Sequence, residues 1–526
     1  MRYDQQYPSI PHVVRGAAER FGTRTAIVDG DLRCSFEELA DRMLEAVRAT
    51  IALGVMPGDR VGLCAPNSAE WIISALGILG AGGVIVPLNT RFKSGELAYI
   101  LRKSDAKALI ASPFLDTDYL ADLFKADPEL PALRRTVSLG PTEADALSWP
   151  EFLKGGEAVP GAAAEESIDR LTPDGVSDVM FTSGTTGHPK GVVLTHGQSV
   201  RAYGWMAEEY TFAAADRFLI IPPFFHCFGY KAGWLASFIH GVTAIPMRIF
   251  DAGEALEIIG RERVSILLGP PTIFSDLLDH PRRAEFDLSS LRVSMTGGTT
   301  IPEPLVHAMK RELSFDIVLS AYGLTEASAL VTSTRIGDSE QTVAATSGRA
   351  IPDVEVMIVD ELGAEVPAGN PGEILVRGYT VTRGYWGDPE ATAAAVDGEG
   401  WLHTGDVGVL DPAGNLSIVD RKKEMYIVGG FNAYPTEIEK ILLGFAPVQQ
   451  VAVIGVPDER LGEVGCAFVV RHPEHRDTTA DEVIEWARAN MANFKVPRQV
   501  RFVESLPRNA SQKLLKDELR AQINVR

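Results

Sequence analysis

An α/β fold of layered sheets and helices, followed by a small α+β C-terminal domain, is what the sequence predicts, and three observations predict it. Short apolar runs alternate with helix-like stretches through the N-terminal part of the chain, the pattern of largely parallel sheets covered by helices. After about residue 345 the texture changes to strand pairs around turn residues, VEVMIVDELG, GEILVRG and DVGVLDPAGNLSIVDR. Beyond Asp420 helix and strand alternate again for about a hundred residues, a length suited to one further domain. The predicted division is therefore 1–420 and 421–526.

Taken in order, SFEELADRMLEAVRATIALG opens with a capping box, Ser35 and Glu38, and continues with apolar residues at helical spacing. DRVGLCAPN and VIVPLN read as short buried strands. Between them, the run Trp71 to Leu88 carries no charge over 18 residues, the threshold for a spanning helix. Its glycines and proline argue instead for a buried helix over Trp71–Leu79, a turn, and a strand. KALIAS, DVMFTS, RFLIIPP, ILLGPP, LRVSMTGG and FDIVLSAYG are the next strands, and Asp411-Pro-Ala-Gly-Asn is a hairpin loop. In the last part EIEKILLGF and DEVIEWARANM read as helices, and VQQVAVIGVPD, CAFVVRHP and VRFVESLP as strands.

Composition removes several function classes. A net charge of −20 argues against nucleic acid or an anionic membrane as partner, since both need a basic footprint. The 4 cysteines form no CxxC and no zinc spacing with histidine, so they read as reduced thiols of a cytoplasmic protein. The N-terminus has no apolar core of a signal peptide.

The chemistry is concentrated in FTSGTTGHPKGVVLTH, Phe181 to His196. Hydroxyls of Thr182, Ser183, Thr185 and Thr186 can donate to phosphate oxygens. Gly184 and Gly187 let backbone N–H groups approach closely, and Lys190 adds a mobile positive charge. The spacing is not that of a P-loop, whose glycines stand further apart before a Gly-Lys-Ser/Thr triplet.

This run resembles the phosphate-loop signature of the adenylate-forming superfamily, which includes acyl-CoA synthetases, luciferases and peptide-synthetase adenylation domains. Four further stretches resemble its other signatures, in the family's order and over nearly the whole chain: Tyr322-Gly323-Leu324-Thr325-Glu326; Trp401-Leu402-His403-Thr404-Gly405-Asp406; Asp420-Arg421-Lys422-Lys423 with Gly429-Gly430-Phe431-Asn432; and Pro507-Arg508-Asn509-Ala510-Ser511-Gln512-Lys513. The resemblance implies a reaction in two halves. A carboxylate attacks the α-phosphate of ATP to give an acyl-adenylate and pyrophosphate. A thiol, usually that of coenzyme A, then displaces AMP. The loop would clamp the β- and γ-phosphates, which leave together.

The same resemblance implies roles for the other residues. Glu326, with Thr185, would hold Mg2+ against the phosphates, and Thr325 would donate to the α-phosphate. Tyr322 would present its face to adenine, flanked by the turn Gly297-Gly298-Thr299. Asp406 would accept from the ribose hydroxyls, and Arg421 would contact ribose or phosphate. Lys423 stands at the hinge of a mobile C-terminal domain. Lys513 would bridge the carboxylate and the α-phosphate, neutralising two anions that otherwise repel. Gly429 and Gly430 would leave room for the pantetheine arm of CoA after the domain rotates. Two positions depart from the pattern: Gln512 stands where glycine is usual before the lysine, and Ala321 where glycine often precedes the tyrosine.

For the acid, PPFFHCFGYKAGW resembles the family's acyl-side stretch and places His226 near the carboxylate. Phe225, Phe228, Tyr230 and Trp234 suggest an apolar pocket, with GPPTIF as another wall. FFHCFGYKAG, GPPTIF, LLDHP, FDLSSLR and AYGLTEA together look like actinobacterial acyl-CoA ligases of steroid degradation, which activate a propionate on a fused-ring remnant. A medium- or long-chain fatty acid is the competing substrate. A free-standing loader of carrier proteins, a luciferase-like oxygenase and an inactive nucleotide-binding relative are the competing functions. The partners expected are a small-molecule carboxylic acid and CoA, with a homodimer left open, and no transmembrane segment.

Lys513→Ala is expected to slow acyl-adenylate formation sharply while sparing thioester formation from preformed acyl-adenylate. Single-turnover assays of the two half-reactions check this, and loss of both would refute the assigned role.

Overall fold

The continuous apolar runs become parallel strands buried on both faces, as such runs require. In the computed structural model, which describes residues 2–127, 129–182, 189–297, 301–421, 424–428, 431–458, 460–491, 493–508 and 514–523, the strands lie in four sheets. One sheet has the spatial order Leu147–Ser148, Arg135–Ser138, Ala108–Ala111, Arg60–Cys64, Val84–Pro87, Val176–Thr182, Lys190–Thr195. It is parallel except for its last pair. A larger sheet runs from Arg349–Ala350 through Thr332–Ser333, Ile317–Tyr322, Val293–Gly297, Ile266–Gly269, Arg217–Ile220, Thr243–Pro246 and Thr25–Asp29 to Leu32–Ser35. It is parallel in the middle and antiparallel at both edges. The strand pairs after residue 345 form an antiparallel meander, Val354–Val359, Gly372–Gly378, Leu402–Leu410 and Leu416–Arg421.

The helix Phe36–Ala52 starts where its cap predicts: Glu38 N donates to Ser35 Oγ at 3.1 Å and Ser35 N donates to Glu38 Oε2 at 2.8 Å. The uncharged stretch from Trp71 lies inside the protein. Its helix, Ala69–Gly80, is capped by Ser68, and every residue from Trp71 to Gly80 is buried. The apolar face all round is therefore that of a helix enclosed by protein. Among the described residues, no helix is long and apolar enough to cross a membrane. Its closest neighbour is Phe36–Ala52, and the contact is made by small residues: a Cβ added at Gly77 would lie 2.7 Å from Ala46 Cβ and 2.9 Å from the Ala46 carbonyl carbon and oxygen.

After Arg421 the chain enters the fourth sheet, built on the long hairpin Val448–Asp458 and Gly462–Arg471; the free edge of Gly462–Arg471 takes Tyr426–Val428, followed by Phe431–Ala433, at its start and Gln499–Phe502, parallel, further along. Alternation along the hairpin sends Val451, Val453, Ala467 and Val469 against Ile438, Leu442, Val483 and Ala487. The intervening Ala452, Ile454, Cys466 and Phe468 pack against Leu506 and Leu519. A sheet covered on both faces gives this short segment a core of its own.

Gly77→Ala is expected to destabilise the protein by about 1–3 kcal/mol, because the added methyl overpacks a backbone contact with no flexible atom to yield. Gly95→Ala, also helical but with open space around its Cβ, is expected to change stability by no more than about 1 kcal/mol. Urea unfolding of the two variants makes the comparison.

Candidate active site

The phosphate-loop candidate connects two paired strands. Thr182 closes one strand and Lys190 opens the next, directly opposite it in the antiparallel register. Ser183, Gly184, Thr185, Thr186 and Gly187, between them, lie outside the described residues. The second strand is held from its other side by a distant segment: Trp386 N donates to Gly191 O at 2.7 Å, Val193 N to Gly384 O at 3.0 Å, and Arg383 N to Val193 O at 3.1 Å. That pairing brings Tyr385 to Lys190, whose Nζ stands 5.1 Å from the ring centroid.

Two parallel strands, Val293–Gly297 and Ile317–Tyr322, end at the same level with Gly297 opposite Ala321. Ligands of open α/β sheets bind at such carboxyl ends. A side chain at Gly297 would put its Cβ 2.6 Å from the Ala321 carbonyl oxygen, so the close approach requires glycine. Gly298 and Thr299 lie outside the described residues. Beyond Tyr322 the chain turns through a short 3₁₀ segment, Thr325–Ala327. Ser328 and Ala329 then adopt left-handed φ of 54° and 58°. Two consecutive non-glycine residues there carry backbone strain, of the kind that collects at functional sites. The strain is held by buried hydrogen bonds: Tyr203 donates to Ser328 O at 2.8 Å and Ser328 Oγ donates to Thr380 O at 2.9 Å.

Glu326 accepts from the Tyr385 hydroxyl at 3.0 Å, and its carbonyl accepts from Thr382 N at 2.7 Å. Asp406, only 6% exposed, accepts from the Tyr322 hydroxyl through Oδ2 at 2.6 Å. Its strand is bent by an irregularity at Val407/Gly408, a device common beside active sites. Lys190, Tyr385 and Glu326 thus form one chain of contacts and Tyr322 and Asp406 another, the two joined by the turn that carries Thr325. Arg421 pairs with Asp406 through the strand register. Among the described residues no three His, Cys, Asp or Glu side chains converge as a metal cluster. A single carboxylate such as Glu326 still fits Mg2+, which commonly takes one or two protein carboxylates plus substrate phosphates.

Lys423, Gly429, Gly430 and Lys513 lie outside the described residues. Lys516 stands three residues after Lys513. It is 9% exposed, with Nζ 3.1 Å from Glu424 and 2.9 Å from Glu439.

On the acyl side, His226 is exposed and Phe225 and Phe228 are half-buried. Tyr230 and Trp234 are fully enclosed: they stack at 4.9 Å on each other and meet Trp71 edge-on. They are core, not pocket wall. Phe274 of GPPTIF is likewise 0% exposed. The same segment, wound as a π-helix over Tyr230–Leu235, carries a feature that a composition of aromatics hides. Lys231 and Asp178 form an ion pair at 3.0 Å with both side chains 0% exposed. The contact is at ion-pair distance but not aligned as a hydrogen bond. Asp178 Oδ2 accepts from Ser177 Oγ at 2.6 Å. Nearby His196 is held neutral, its pKa pushed down to about 3 by burial first and then by the Lys231 charge. The signal was a single lysine inside the otherwise uncharged FGYKAGWLASF: a charge in such a run needs a buried partner.

Comparison with known proteins agrees over both parts of the chain. Residues 14–386 match the model of the AMP-binding enzyme family, and residues 437–513 that of the AMP-binding enzyme C-terminal domain. A (7a-methyl-1,5-dioxo-octahydroindenyl)propanoyl:CoA ligase of Rhodococcus jostii is 46% identical, covering 98% of this chain and 99% of its own. The enzyme of the same name from Mycobacterium tuberculosis is 48% identical over 97% of this chain and 98% of its own. Among solved structures, an anthranilate CoA ligase in complex with anthranoyl-AMP superposes with a TM-score of 0.87 at 28% identity, covering 98% of this chain and 97% of that one.

Removing one partner of the buried pair, as in Asp178→Leu or Lys231→Met, is expected to cost about 3–5 kcal/mol of stability by stranding the other charge. The double variant Asp178→Leu/Lys231→Met is expected to recover most of that loss. Urea unfolding of the full double-mutant cycle measures the coupling.

Proposed function

The chain belongs to the AMP-binding enzyme family and is an acyl:CoA ligase, and from that premise we propose that its acid is a propionate borne on an oxidised fused-ring system. The observation that carries this is the identity of 46–48%, end to end, with ligases named for such an acid. The half-buried Phe225 and Phe228 beside exposed His226 support an apolar acid presented carboxylate-first.

The residues divide the work as follows. Tyr322 offers adenine an aromatic face, and its hydroxyl orients Asp406 toward the ribose. Lys190 and the loop preceding it grip the β- and γ-phosphates, which keeps the departing pyrophosphate neutralised. Thr325 donates to the α-phosphate. The acid's carboxylate oxygen attacks the α-phosphorus, and the bond to pyrophosphate breaks. Lys513 screens the two anions as they meet. In the second half-reaction the CoA thiolate attacks the acyl carbonyl and AMP leaves. Glu326, with Thr185, would hold Mg2+, which supplies charge neutralisation on the phosphates. The division of labour between 1–420 and 421–526 belongs to the same proposal. It is supported by the separate matches of the two family models and by the separate cores.

Pyrophosphate release against a panel of fatty acids, aryl acids and fused-ring propionates, with and without CoA and with mass detection of products, tests this reading. The expected result is preference for the fused-ring propionates, release that rises with CoA, and an acyl-CoA mass. Preference for straight-chain fatty acids would overturn the substrate. Acyl-AMP formation indifferent to CoA would overturn the ligase in favour of a carrier-protein loader.

A further inference from the structure

Tyr385 lies in none of the signature stretches, yet it touches two residues that do. Its hydroxyl donates to Glu326 Oε1 at 3.0 Å, and its ring lies 5.1 Å from Lys190 Nζ. Its own placement comes from the main chain. The bridge between Val192 and Tyr385 sets its position, and Tyr385 N donates to Thr392 Oγ1 at 2.9 Å. The hydroxyl is the donor in this contact, since a carboxylate oxygen only accepts. Lys190 and Glu326 carry opposite charges and meet different parts of this one side chain, the ring and the hydroxyl, and no direct ion pair between them occurs among the described residues.

That arrangement has a physical consequence. An ammonium and a carboxylate free to meet would pair, and each would then be lost to its own ligand. A phenol between them satisfies both weakly and separately: the cation through the ring face, the anion through one charge-assisted hydrogen bond. A carboxylate has two oxygens and several acceptor sites, so one such bond fixes its direction without using it up.

Resting on the nucleotide-site reading above, we propose that Tyr385 is a positioning residue for adenylation, a spacer that keeps Lys190 and Glu326 apart and aims them separately, Lys190 at the ATP phosphates and Glu326 at the divalent cation that accompanies them. Its two functions are separable by substitution. Tyr385→Phe keeps the ring and removes only the hydroxyl, so Glu326 loses its tether while Lys190 keeps its platform. Tyr385→Ala removes the spacer, and the two charges can then close on each other.

The test uses the full chain and two readouts. Binding of Mn2+ with ATP is followed by paramagnetic relaxation of water protons, and binding of ATP without metal by equilibrium dialysis. ATP–pyrophosphate exchange is titrated with Mg2+ in parallel. For Tyr385→Phe the half-saturating metal concentration is expected to rise about tenfold, with metal-free ATP binding changed by less than about twofold. For Tyr385→Ala both are expected to weaken. A Tyr385→Phe metal titration that overlays the wild type would overturn the proposal. Equal weakening of metal and metal-free ATP binding in Tyr385→Phe would overturn it too, since a merely structural role moves both together. Thermal unfolding of each variant separates loss of fold from loss of aim. If the wild type binds Mn2+ and ATP but turns over no acid in the panel, the substrate reading fails while the binding arm still decides the role of Tyr385. A wild type that binds no nucleotide sinks both.

Discussion

The short antiparallel pairing of Gly191–Val193 with Arg383–Trp386 is the contact on which the proposed site depends. It joins the strand leaving the phosphate loop to a segment nearly two hundred residues later in the chain. Closing so large a loop is entropically costly, and the cost is met by burial around it: Val192 is 0% and Thr382 7% exposed. Thr382 completes the junction, its hydroxyl donating to Val193 O at 2.8 Å and its N–H to Glu326 O. One residue is thereby bonded to the strand that follows the phosphate loop and to the turn that carries the acid. The parts of the proposed nucleotide site contributed by three distant stretches are held by a few main-chain bonds, which have little freedom to drift.

A second junction lies deeper. Asp178 stands four residues before Thr182 on the same strand, and Lys231 stands five after His226. Their ion pair, fully enclosed, therefore ties the base of the phosphate loop to the base of the acyl-side segment. Such a pair is poor evidence for stability, because two hydrophobic residues would serve as well or better. What it imposes is registry: the lysine can be satisfied only where the aspartate is. The π-helical winding of Tyr230–Leu235 fits that demand, since an expanded turn re-aims a side chain that regular helix would point elsewhere.

Much of this was legible in the sequence, and for identifiable reasons. Buried parallel strands are continuous apolar runs, so Val84–Pro87 and Ala108–Ala111 could be read directly. The reciprocal bonds of Ser35 and Glu38 are local and announce themselves in four residues. The Trp71 run was resolved by its glycines, one of which, Gly77, is required by its contact with Ala46. What could not be read was direction and partnership. Tyr230 and Trp234 have the composition of a pocket wall but face the core, since an aromatic residue does not encode which side it turns to a cavity. Lys516 sits in a basic tail by sequence and in a cage of two carboxylates by structure. Tyr385 meets Glu326 across 59 positions, a separation at which no local pattern speaks.

The cage around Lys516 bears on how one chain runs two half-reactions. Its partners are Glu424, one residue beyond the proposed hinge position Lys423, and Glu439, whose Oε1 also accepts from Val453 N at 2.7 Å. Lys516 is therefore fastened at once to the start of the C-terminal part and, through Glu439, to its central hairpin. Lys513 stands only three residues away in the chain. A rotation about the hinge would carry this fastening with it, because every member of the cage lies on the same side of the hinge. The proposed catalytic lysine would then enter and leave the site from a fixed base. Alternation between the two half-reactions would cost a change of angle at the hinge while the fastening of Lys516 stays intact.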